Sequence, residues 1–202
     1  MVSALAADLG HIRGTIVTGT PNKLTVKTSD GTTVTVALDA TTRIAGIVPS
    51  SLDKISAGTF VGIANVPGAD SSRALEVVVF PEAMKGTGLG DYPWDLAPTS
   101  GGGTTSAMTN GTVTAATGAN SSVMTNGTVK STSNANGLVL AVDYGKGEKK
   151  IHVPAGVPVV GILPGDASKL VPGAHVFVAT KKDAPQTAGF IAVGVDGAVP
   201  PM

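Results

Sequence analysis

The chain contains no cysteine, which excludes disulfides, thiol nucleophiles and thiolate metal sites together. Aromatic residues are nearly as scarce: four Phe, two Tyr and one Trp among 202 residues. Charge is thin and balanced, with 14 Lys and Arg against 14 Asp and Glu and a formal net charge of zero. Such a chain has no bulk field to draw in nucleic acid or an anionic membrane, and few aromatics on which bases would stack. No run approaches the roughly 18 uninterrupted apolar residues of a membrane-spanning helix. Disorder does not fit either, because 42% of the residues are hydrophobic. What the chain has in excess is glycine (27) and proline (13), the residues of turns.

An internal repeat organises the chain. Residues 42–58, TRIAGIVPSSLDKISAG, return as residues 157–173, VPVVGILPGDASKLVPG. A constant offset of 115 pairs Gly46 with Gly161, Pro49 with Pro164, Lys54 with Lys169 and Gly58 with Gly173. Upstream, Gly14-Thr15 matches Gly127-Thr128 at an offset of 113. The expected organisation is an N-terminal tail (1–9), a first unit (10–82), a linker (83–123) and a second unit (124–202).

Each unit reads as strands. Leu24, Val26 and Thr28 alternate with polar neighbours, a Ser29-Asp30-Gly31 turn follows, and Val34, Val36 and Leu38 resume the alternation. Period two around a D-G turn predicts a hairpin. In the second unit, Leu138, Leu140, Val142 and Tyr144 precede Gly145-Lys146-Gly147, and Ile151 and Val153 return. Short helical segments, Ser51–Ile55 and Asp166–Leu170, precede strands near 59–66, 74–80, 174–181 and 190–195. Five strands with one helical turn before the fourth predict an all-β chain of two tandem OB-like five-stranded β-barrels, with a β-sandwich as the alternative. Gly14 and Gly127 suit the strongly bent first strand that barrel closure needs.

The linker carries Gly86, Gly88 and Gly90, then Asp91-Tyr92-Pro93-Trp94-Asp95, then a Gly/Ser/Thr run at Thr99–Ser106. Here too a hexapeptide repeats: Met108-Thr109-Asn110-Gly111-Thr112-Val113 returns as Met124–Val129. If the second copy is the first strand of the second unit, Met108–Val113 is an extra strand. It is then free to pair with a barrel edge or with another molecule. At the N-terminus, Ala4-Leu5-Ala6 has the small-x-small form of a signal-peptidase site.

The pattern RGTIV, LTVKTSDGTTVTV, TRIAG and KISAGTFVGI resembles a bacterial exported domain family of unknown function with an OB-like barrel. Both units match that pattern, and the Tyr92-Pro93-Trp94-Asp95 linker is similar to a tandem two-unit form from Gram-negative bacteria. The resemblance implies a barrel fold and a periplasmic or extracellular location. It brings no catalytic residues.

The residues themselves hold no catalytic constellation, so the expectation is a non-enzymatic exported binding or structural module without a cofactor. Its partner is an envelope protein or itself, not nucleic acid. Asp91, Tyr92, Trp94 and Asp95 are the candidate binding residues, an acidic and aromatic spot in a chain poor in both. Met108, Thr109, Asn110, Gly111, Thr112 and Val113 are the candidate self-association strand. Two alternatives stand beside this. A periplasmic metal-binding protein would use His152 and His175 as weak candidates, though no HxH or HxxxH spacing supports them. A carbohydrate-binding module would use the aromatics on an OB-like face.

Overall fold

The computed structural model describes residues 10–96, 106–118 and 137–200. The N-terminal tail, most of the Thr99–Ser106 run and the second hexapeptide Met124–Val129 lie outside the described residues. The chain is all-β. In chain order its strands are β1 (His11–Thr20), β2 (Lys23–Thr28), β3 (Thr33–Ala37), β4 (Arg43–Pro49), β5 (Phe60–Val66), β6 (Ser72–Val79) and β7 (Gly90–Trp94). There follow β8 (Ser106–Gly118), β9 (Leu138–Asp143), β10 (Glu148–Val153), β11 (Val159–Pro164), β12 (His175–Thr180) and β13 (Ala188–Gly194). Single 3-10 turns, Leu52–Lys54 and Ala167–Lys169, precede β5 and β12. The second is capped by Asp166, whose carboxylate accepts from the Ser168 N–H at 2.7 Å. Among the described residues, no helix is long and apolar enough to cross a membrane.

The described residues fall into two compact units, one from 10–48 and 162–200, the other from 49–161. Neither coincides with the stretches 10–82 and 124–202. Each draws strands from both.

In the second unit five strands close into a barrel. β8, β9 and β10 form an antiparallel meander. β5 and β6 form an antiparallel hairpin. β8 pairs antiparallel with β5, placing Gly111 opposite Val61. Finally β10 pairs in parallel with β6, Ile151 opposite Ser72, which completes the ring. A three-strand meander closed by a returning hairpin is OB-like strand order. Alternation sends Val61, Ile63, Leu140, Val142, Ile151 and Val153 inward, each fully buried, together with Val77 and Val113. β11 adds to the outer side of β6, Val160 opposite Val78.

The first unit has the same kinds of pairing. β1, β2 and β3 form the meander, and β12 and β13 the hairpin. β1 pairs with β12, Gly14 opposite Val176. β3 meets the start of β13 through a parallel bridge from Ala37 to Thr187. β4 lies parallel to β13, Ala45 opposite Ala192. Its core is Ile12, Ile16, Leu24, Val26, Val36, Val178, Ile191 and Val193, with Leu170 from the segment before β12. The Asp30-Gly31 turn between β2 and β3 uses the left-handed conformation of Gly31, at φ +87°.

Just past β3, Asp39 accepts from the Lys181 ammonium at 2.5 Å and from Thr41. The Lys181 hydrogen bond first, and Thr41 second, hold the Asp39 carboxyl well below the usual carboxylate range. A depressed folded-state pKa adds stability above the ordinary value of 3.8, and that stability fades as the pH falls below it. Asp39→Asn is therefore expected to flatten the acid side of the first unit's stability profile. Denaturant midpoints at neutral and at acid pH measure this, and an unchanged acid slope in the variant would contradict it.

Candidate functional site

Three glycines in left-handed conformation, Gly86 (φ +86°), Gly88 (+64°) and Gly90 (+149°), turn the chain after β6 so that β7 runs back beside β8. Pro93 is tolerated there because β7 pairs only with β8 and Pro needs no partner on the open side. In this register Asp91 stands opposite Thr109, Tyr92 opposite Met108 and Trp94 opposite Ser106.

A polar chain runs inward from Asp91. Lys149 on β10 donates to both Asp91 oxygens, at 2.9 and 3.1 Å. The Thr109 hydroxyl donates to Asp91 at 2.6 Å and accepts from the Asn65 side-chain amide at 2.9 Å. Asn65 and Thr109 are fully buried, and the Asn65 amide is also held by the Ile63 carbonyl. The next residue, Asn110, donates to the Tyr92 hydroxyl at 3.0 Å and to the Gly88 carbonyl at 3.1 Å. Each of the two inner asparagines thus fixes one β7 side chain, Asn65 through Thr109 and Asn110 directly. Partial burial raises the ionisation of the Tyr92 phenol above its ordinary value of 10, so it is a neutral hydroxyl at physiological pH.

Tyr92 meets Trp94 edge to face, with ring centres 6.2 Å apart. Tyr92 also borders open space. A pocket of about 380 Å³ lies between β7 and the β9–β10 turn, walled by Leu89, Asp91, Tyr92, Tyr144 and Lys146 over Gly90 and Gly145. Tyr92 is 37% exposed and Leu89 51%. Both tyrosines of the chain therefore stand at one small concavity, beside an ion pair.

The four candidate residues read from the sequence divide. Asp91 and Tyr92 line the pocket, Trp94 backs Tyr92, and Asp95 lies just past the end of β7, outside the lining. Leu89, Tyr144, Lys146 and Lys149 were not anticipated. By sequence Tyr144 reads only as the end of a strand and Lys146 as part of a turn, and Lys149 is 58 residues from Asp91 with no pattern to join them.

Met108–Val113 is not spare. Its strand, β8, opens the meander of the closed barrel, with Met108, Thr109, Asn110, Gly111 and Val113 buried. β5 takes one edge of the strand from Ala107 to Thr112. The other edge carries β7 from Ser106 to Asn110 and β9 from Thr112 onward.

His152 sits on β10, partly exposed between buried Ile151 and Val153. His175 opens β12 in the first unit and lines a pocket of about 520 Å³ with Arg13, Lys27, Thr28 and Val199. Among the described residues, no group of three or more His, Cys, Asp or Glu comes together to hold a metal ion. In comparison with known proteins, the chain matches no family model, no curated protein and no solved structure.

Proposed function

We propose that this chain is a non-enzymatic binding module of the bacterial cell envelope, exported to the periplasm or beyond. In this reading the pocket beside Tyr92 takes a carbohydrate. The observation that carries the reading is the convergence of Tyr92 and Tyr144 on one open pocket, in a chain with no other tyrosine. Flat apolar rings with hydroxyl tips, beside the amine of Lys146 and the carboxylate of Asp91, suit a neutral polyhydroxylated ring. The rings stack on its apolar face while the polar groups take its hydroxyls. The Ala4-Leu5-Ala6 tripeptide, with its small-x-small form, supports the exported reading.

Trp94 reports on this site without a label, being the only tryptophan and in ring contact with Tyr92. Titration with envelope oligosaccharides is expected to shift Trp94 fluorescence, and Tyr92→Ala to weaken binding about tenfold or more, the scale of one lost stacking contact. No response to any glycan at millimolar concentration, or equal binding by the variant, would reject the reading.

A further inference from the structure

We propose that the hairpins β5–β6 and β12–β13 are interchangeable closing elements, and that a second copy of this chain supplies them in a strand-exchanged dimer. The proposal does not depend on the carbohydrate reading.

The first unit is a meander from residues 11–37 closed by a hairpin from residues 175–194. The second is a meander from 106–153 closed by a hairpin from 60–79. Each meander is thus closed by the hairpin of the other sequence stretch, not by the one that follows it. The backbone pairings agree residue by residue. Gly14 stands opposite Val176 and Gly111 opposite Val61. Val61 and Val176 are separated by the same 115 positions as the sequence repeat. The meander bulges lie between Ile16 and Thr18 in one unit and between Val113 and Ala115 in the other. The hairpin bulges lie between Ala64 and Asn65, and between Ala179 and Thr180, again 115 apart. Even the added parallel strand keeps register, Ala45 on Ala192 and Val160 on Val78.

Two hairpins with the same pairing pattern offer a meander the same hydrogen bonds, and nothing in those bonds records which chain the hairpin came from. A hairpin of the same molecule wins through its tether, whose effective concentration is on the order of millimolar. When chains fold together near that concentration, the hairpin of a neighbour competes on nearly equal terms. β4 and β11 lead from meander to hairpin, and both end on a proline, Pro49 and Pro164, matched in the repeat.

The test uses the full chain in two preparations, one carrying a donor and one an acceptor fluorophore at the N-terminus. They are unfolded together in guanidinium chloride and refolded by dilution to about micromolar or about millimolar protein. The expected result is a dimer carrying both labels only at the higher concentration, still dimeric hours after dilution. Native preparations mixed without unfolding are expected to exchange no label. Monomer at every concentration would overturn the proposal. So would aggregate without a doubly labelled dimer, or a dimer that forms from native protein and dissociates at once on dilution.

Discussion

Gly111→Ala is expected to lower the melting temperature of the second unit by more than about 10 °C. A Cβ on Gly111 would sit 2.2 Å from the Asp143 carbonyl oxygen and 2.8 Å from the Val142 side chain. The obstacle is backbone of the neighbouring strand, so rotamer adjustment gives no relief and β8 and β9 must part. Overpacking of a core costs about 1–3 kcal/mol where side chains give way. Here about 3 kcal/mol is the lower bound, and each kcal/mol moves the midpoint of a unit this size by about 4–8 °C. Gly14→Ala makes the same collision in the first unit, 2.1 Å from the Lys27 carbonyl oxygen. Gly10→Ala is the control, since a Cβ there meets nothing within 4 Å. Thermal melts of the three variants decide the matter. Midpoints for Gly111→Ala and Gly14→Ala within the range of the control would show that the strands do not cross as described.

The second large effect is Ile191→Ala, expected to destabilise the first unit by about 2–5 kcal/mol, the usual cost of emptying a fully buried aliphatic site. Its location matters more than its size. Ile191 belongs to the C-terminal stretch of the sequence, yet it is buried in one core with Ile12, Leu24 and Val36. Amide hydrogen exchange is therefore expected to accelerate first in β1, β2 and β3, more than 150 positions away along the chain. Barrels that followed the sequence stretches would instead show the first loss in β9 and β10.

Much of the fold was legible because its causes are local. Alternation at Leu24, Val26, Val34 and Val36 fixes which face is buried, and Asp30-Gly31 fixes where the chain reverses. The Asp166 cap and its turn are equally local. What was hidden is the choice of partner. Met108–Val113 and Met124–Val129 have the same six residues and so the same local preferences, and only long-range pairing with β5 and β9 assigns the first copy to the barrel. The hairpins are a second case, since β12 pairs with β1 and β5 with β8 although β5–β6 is the hairpin that follows the first meander in the chain. At the site, Tyr92 and Asp91 stood out by rarity. Their companions Tyr144, Lys146 and Lys149 came into view only once β9 and β10 were folded beside β8 and β7.

One compact unit is built from the two ends of the chain and the other from its middle. This division is tested most directly by cutting the chain once, through a protease recognition sequence placed at Gly101–Gly103. The cut leaves β1 to β7 on one fragment and β8 to β13 on the other, so both units span it. After complete cleavage the fragments are expected to co-elute at the mass of the intact chain, with native circular dichroism, and to separate only in denaturant. Two fragments that part under native conditions, each remaining folded, would contradict it.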